Sequence, residues 1–214
     1  LDGAGTRLRQ HKAAVEAAKK AGVARLAYTS LPQADTSKVS FAPDHWGTEQ
    51  AIAATGLPAI IFRNSWYMEN LFMSVPQALK TGQWYISEGE GRTAFVARDD
   101  IAASIAAALA KPPTGSVTYT LTGDAAYAKA EIAALVTELI GKSLQVVQIT
   151  DEQLAGGMKA ADVPDAYIPT LVSFDTATRE GNLATVTDDV AHLSGRKPQV
   201  LRDFLVANPA ALTA

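Results

Sequence analysis

Seven consecutive positions, Asn64, Ser65, Trp66, Tyr67, Met68, Glu69 and Asn70, put amide, hydroxyl, indole and phenol groups side by side. That set suits a flat ligand with polar edges, which aromatic faces hold by stacking and amides hold by hydrogen bonds. The seven follow Ala59, Ile60, Ile61 and Phe62, an unbroken apolar run of the kind found in a strand buried on both faces. Ligands of open α/β sheets sit beyond the carboxyl ends of such strands, which is where Asn64 to Asn70 fall. Trp66 and Tyr67 would serve equally well as packing for a strand-to-helix turn, and the residue types leave both roles open. A second candidate is His45, one turn into a segment opened by Ala42, Pro43 and Asp44. An imidazole there, pointing toward the strand tips, is available as acid, base or hydrogen-bond donor; pointing into solvent, it has no task.

Strands and helices must bring these groups together. A helix is expected from about Arg7, with Leu8, His11, Val15 and Ala18 on one face, Lys12, Glu16 and Lys20 on another, and Gly22 as its stop. His11 then reads as a half-buried packing residue. Residues 23–30 form the next strand, ending on Thr29 and Ser30. A polar loop over 32–40 leads to a helix that Pro43 and Asp44 start and Gly56 ends. After the strand at 59–64, a helix is expected over 69–80, then short strands at 84–87 and 93–97 about a Gly-Glu-Gly-Arg turn. Asp99 and Asp100 open a periodic helix, 117–121 is a strand, 131–139 a helix and 144–149 a last clear strand. From Asp151 the pattern is helical but looser, broken at Pro164, Gly181, Gly195 and Pro198. Helices alternating with buried strands predict an α/β fold with a doubly wound parallel sheet, joined to a smaller, mainly helical C-terminal part.

Composition excludes several kinds of chemistry. With 214 residues, 48% hydrophobic and 19% charged, the chain can bury one large core. It has no cysteine, which rules out disulfides, thiol nucleophiles and cysteine metal sites. Its three histidines, His11, His45 and His192, lie far apart, so no metal site is expected. A net charge of -3 without a basic stripe argues against a nucleic-acid partner. No apolar run is long enough to span a membrane, so no membrane partner is expected and the cytoplasm is the expected location. Gly3, Ala4 and Gly5 are not a dinucleotide fingerprint, since no strand precedes them and position 8 is leucine.

Taken together, Ala27 to Leu31, Ala34 to Ser37, His45, Thr48 with Glu49, Arg63 to Asn70, Ser74 to Leu79 and Leu121 to Asp124 resemble the NmrA-like branch of the atypical short-chain dehydrogenases, in its NAD(P)H:quinone oxidoreductase 2 type. The likeness runs from Gly5 to about Phe204, and its most specific element is the Arg-Asn-x-Trp-Tyr-x-Glu-Asn run. It implies that residues 1–122 are the second half of a Rossmann-like NAD(P)-binding domain, with 67–92 contributing to the substrate side. Residues 123–214 would then form the smaller substrate-side domain. It also implies a first mononucleotide-binding half of roughly 70 residues ahead of Leu1, holding the glycine-rich phosphate loop and the residue that selects the 2′-phosphate.

The resemblance implies NADP(H) as cofactor, contacted by Ser65, Trp66, Tyr67, Met68, Glu69, Asn70 and Val96. It further implies hydride transfer to a quinone or similar conjugated carbonyl, a small-molecule acceptor and a homodimer. One departure shapes the chemistry. The Tyr-x-x-x-Lys of typical short-chain dehydrogenases falls on Phe41 and His45, and phenylalanine has no proton to give. Alcohol–ketone chemistry and sugar-nucleotide epimerisation through a tyrosinate are therefore disfavoured. A quinone asks less, because its developing oxyanions need only hydrogen-bond donors or water, and His45, Asn64 or Tyr67 are the candidates. The rival reading is a non-catalytic NADP(H)-binding redox sensor that acts through a protein partner.

Overall fold

The structure is a computed structural model that describes residues 5–213. Gly5 has φ 76, and Gly3 and Ala4 lie outside the described residues. Helix α1 (Thr6–Lys20) ends at a left-handed Gly22, φ 69, and strand β1 (Leu26–Ser30) follows. Helix α2 (Ala42–Ala53) begins with Pro43 in its first turn, where a missing N–H costs nothing. Strand β2 (Ala59–Asn64) is buried at every position but Arg63. Beyond it come a 3-10 turn (Met68–Asn70), α3 (Leu71–Thr81), β3 (Gln83–Ile86), β4 (Arg92–Thr93), α4 (Arg98–Ala110) and β5 (Val117–Leu121). The last part holds β6 (Tyr127–Ala128), α5 (Lys129–Ile140), β7 (Gln145–Gln148), α6 (Asp151–Ala160), α7 (Ile168–Arg179), α8 (Asp189–Ser194), α9 (Leu201–Ala207) and α10 (Pro209–Thr213).

The central sheet is parallel, in the order β1-β2-β5, with Ser30 beside Arg63 and Asn64 beside Leu121. Alternation along β2 sorts its side chains between two layers of helix. Ile60 and Phe62 pack with Ile101 and Ala108 of α4 and with Val190 of α8. Ala59 and Ile61 pack with Ile52 of α2 and Val15 of α1. The two helical layers make the fold α/β with a doubly wound sheet. At Gly47 the helices α1 and α2 come so close that a Cβ would stand 2.8 Å from Leu8 Cδ1.

The strands expected at 84–87 and 93–97 do not pair with each other about their turn. β3 pairs in parallel with β7, and β4 pairs antiparallel with β6. The turn between them is held by α7 instead. Asp175 accepts from Ser87 N at 2.7 Å, Arg179 donates to Ser87 O, and Gly91 lies against the Thr178 carbonyl where a Cβ would overlap it. Residues 94–97 form no regular strand; Val96 donates to Trp66 O at 2.9 Å and accepts from Met68 N at 3.0 Å. The core built from Leu71, Val75, Trp84, Ile132, Val136, Leu201, Leu205 and Leu212 unites α3 and β3 with α5, α9 and α10, so it draws on both sides of residue 122. Among the described residues, no helix is long and apolar enough to cross a membrane.

Candidate active site

The β2 strand delivers Asn64 and Ser65 to its carboxyl end with little solvent exposure, 7% and 2%. Two of their polar atoms, Asn64 Oδ1 and Ser65 Oγ, are buried without a hydrogen-bond partner among the described residues. Nearly all buried polar groups are paired, so two orphans on successive residues at a strand tip stand out. The adjoining backbone is well fixed, since Ser65 N donates to Leu121 O at 2.9 Å and residues 66 to 68 are bonded to Val96. Gly123, in the Thr-Gly-Asp motif after β5, permits this arrangement, because a Cβ there would overlap the Phe95 carbonyl.

Trp66 and Tyr67 are not a joint wall. The Trp66 indole meets Phe174 of α7 edge to face, with centroids 4.5 Å apart. Phe174 in turn meets Phe41, at the start of α2, at 6.0 Å. Half-buried aromatic rings therefore run from the end of β2 through α7 to α2. Tyr67 packs instead against the α4-side cluster of Val96 and Ile101, with the Arg98 guanidinium 5.1 Å from its ring centroid. Tyr67 is thus packed on the α4 side of the turn and not with the Trp66–Phe174 pair.

The other expected contact residues are held as follows. Met68 and Val96 are both 0% exposed, so their side chains belong to the core. Glu69 caps a helix, its Oε1 accepting from Arg98 N at 3.1 Å at the start of α4. Asn70 lies at the junction of the 3-10 turn with α3.

His45 is half-buried on α2. It sits on the sheet-facing side of α2, where Tyr28 Oη lies 2.7 Å from its Nδ1 and the Phe41 ring stands 5.7 Å away. Burial, followed by the nearby charges of Arg7 and His11, pushes its pKa from 6.5 down to about 4. It is neutral at physiological pH. Burial likewise pushes the Tyr28 phenol up. His11 packs as expected but also hydrogen-bonds, with Nδ1 3.0 Å from Thr48 Oγ1.

Beneath these residues a buried ion pair ties the strand tips to α2. Arg63 grips Glu49 with two hydrogen bonds, Nε to Oε1 at 3.1 Å and Nη2 to Oε2 at 2.6 Å. Ser30 Oγ donates to the same carboxylate at 2.6 Å. The α7 side is fastened to the loop after β1 by Lys38 N donating to Asn182 Oδ1 and by Asn182 Nδ2 donating to Gln33 Oε1, at 2.9 and 3.0 Å. Phe174, Tyr28 and Asn182 carry no local signal of this proximity in the sequence. They are brought in from segments whose pattern predicts only a helix, a strand and a loop. No cluster of histidine and acidic residues fit to hold a metal occurs among the described residues.

The profile of the NmrA-like family matches residues 2–201. Over 199 residues the chain is 33% identical to quinone oxidoreductase 2 of Escherichia coli, covering 93% of this chain and 70% of that protein. It is 29% identical over 203 residues to the NAD(P)H azoreductase of Xenophilus azovorans, covering 94% and 71%. The crystal structure of the Escherichia coli NADPH-dependent quinone oxidoreductase in complex with NADPH superposes with a TM-score of 0.91 at 31% identity, over 97% of this chain and 73% of that one.

Proposed function

The chain belongs to the NmrA-like family, and from that premise we propose that it is an NADPH-dependent oxidoreductase that passes a hydride to a quinone or a similar conjugated acceptor. The observation that carries this reading is the pair of unpartnered buried atoms, Asn64 Oδ1 and Ser65 Oγ, at the carboxyl end of β2. A nicotinamide carboxamide, with an NH2 donor and a carbonyl acceptor, complements an amide oxygen that can accept and a hydroxyl that can donate. When bound, the cofactor supplies the hydride. This chain's residues do the rest: Asn64 and Ser65 orient the carboxamide, and Trp66 with Phe174 offers an aromatic surface to a flat acceptor. Two electrons and one hydrogen arrive as hydride, and water supplies the remaining proton of the hydroquinone. Phe41 in place of a phenol is compatible with this chemistry, because no group on the enzyme must ionise.

In this reading residues 1–122 serve the nucleotide, and residues 123–214, together with 67–92, serve the acceptor. The acceptor is a small molecule. The same reading places the protein in the cytoplasm as a homodimer, which sedimentation of the purified protein tests. The function is tested by titrating NADPH into wild-type protein and the Asn64→Ala variant while following NADPH oxidation with a soluble quinone. Loss of the carboxamide contact should weaken NADPH binding by about 10-fold. Unchanged affinity would remove Asn64 from the site.

A further inference from the structure

His11 of α1, Tyr28 of β1, and His45 and Thr48 of α2 form a polar cluster whose donors and acceptors can be assigned one by one. Thr48 has a single hydroxyl proton, and it goes to the Asp44 carbonyl at 2.6 Å. The 3.0 Å contact between His11 Nδ1 and Thr48 Oγ1 therefore needs a proton on His11 Nδ1. Tyr28 Oη lies 3.3 Å from that same Nδ1, so the phenol can accept from His11 but cannot donate to it. Its own proton is left for His45 Nδ1 at 2.7 Å. His45 is neutral, and with Nδ1 accepting, its one N–H lies on Nε2. No described residue accepts from that N–H, while His45 shares the start of α2 with Phe41, whose ring closes the aromatic row from Trp66.

We propose that Tyr28 is a positioning residue: its hydroxyl locks His45 in the Nε2–H form, so that this N–H donates a hydrogen bond to the oxygen that becomes anionic when the acceptor takes up hydride. The inference rests on the function proposed above and adds the group that meets the developing charge. His45 keeps its proton throughout; hydride brings both electrons, and water protonates the hydroquinone anion. A neutral donor of this kind stabilises an oxyanion without itself having to titrate. The histidine that stands where typical short-chain dehydrogenases carry the lysine of Tyr-x-x-x-Lys is thus held in one tautomer by a tyrosine from strand β1.

The test reads the tautomer directly. In long-range 15N–1H spectra of labelled wild-type protein at neutral pH, His45 should show a protonated Nε2 and an unprotonated Nδ1. In Tyr28→Phe the two tautomers should mix. With NADP+ and hydroquinone added, the wild-type Nε2–H resonance should move downfield. In steady state, Tyr28→Phe should lower kcat for a quinone by roughly 10-fold with little change in the KM for NADPH, and adding His45→Ala should cost little more, because the two act as one unit. A wild-type His45 protonated on Nδ1, a Tyr28→Phe spectrum like the parent's, or fully additive losses in the double variant would overturn the proposal. If the tautomer is as assigned but wild-type protein oxidises no NADPH with any quinone, the donor role falls because the function does, which the spectra and the rates tell apart.

Discussion

The Trp66 indole and the Phe174 ring meet edge to face at 4.5 Å, joining the end of the central strand β2 to helix α7. If this pair is the surface on which the acceptor lies, its loss should be felt by the acceptor and not by the cofactor. Phe174→Ala should raise the KM for a quinone by about 10-fold, and Phe174→Leu, which keeps bulk but not the ring face, should behave much like it. NADPH affinity should stay at the parent value in both. A Phe174→Ala variant with a lower melting temperature but normal kinetics would make the ring pair simple packing.

Tyr67 is expected to give the opposite result. Its ring is packed with Val96 and Ile101 and covered by Arg98. Tyr67→Ala should destabilise the fold by about 3 kcal/mol, at the low end for a buried aromatic because Tyr67 is only half-buried. The surviving folded protein should reduce quinone at close to the normal specific rate. Strongly reduced turnover at unchanged melting temperature would restore Tyr67 to the site.

How much of this was legible in the sequence differs between fold and site. The apolar run ending in Asn64 announces a buried strand with a polar tip, and Gly22, Pro43 and Gly56 announce helix ends, because these signals act over a few residues. The pairing of β3 with β7 was not legible, since what separates the arms of the turn at 88–91 is α7, nearly a hundred positions later in the chain. The split between Trp66 and Tyr67 also escaped local reading. It follows from backbone bonds to Val96, which turn successive side chains to different neighbours. Tyr28 and Phe174 entered the site only through the folding of the whole.

The imidazole of His45 should leave a mark on stability. Its folded pKa of about 4 lies below the ordinary 6.5, so over that interval the unfolded chain binds more protons than the folded one. Stability should be fully present above about pH 6.5 and be lost as the pH falls through about 4, by up to about 3 kcal/mol in total. Arg7, His11, Asp44, Glu49 and Tyr28 are the ionisable groups around it. Denaturant titrations of wild type and His45→Gln from pH 4 to 8 should show a difference in slope over this range. Parallel curves would contradict it.

Glu88 and Lys129 form a second buried pair, 3.0 Å apart with side chains 8% and 13% exposed, and the ammonium lies 4.7 Å from the Trp84 ring centroid. Burial raises the Glu88 carboxyl while Lys129 holds it down. Lys129→Met should cost roughly 3–5 kcal/mol where Glu88 must stay ionised. The loss should shrink at lower pH, as the stranded carboxyl takes up a proton, and Glu88→Gln in the same chain should recover much of it. A loss independent of pH would mean that packing of the lysine stem dominates.

In the proposed function, the crevice at the end of β2 turns NADPH over against a flat conjugated acceptor. This turnover is tested most directly by following the absorbance of NADPH with protein expressed from the complete reading frame that encodes this chain, with and without a soluble quinone. Multiple turnovers of NADPH are expected that require the quinone, form hydroquinone in equal amount and fall by about 10-fold in Asn64→Ala at subsaturating NADPH. Tight NADPH binding with no turnover against quinones or azo compounds would contradict it, leaving a protein that senses the cofactor without consuming it.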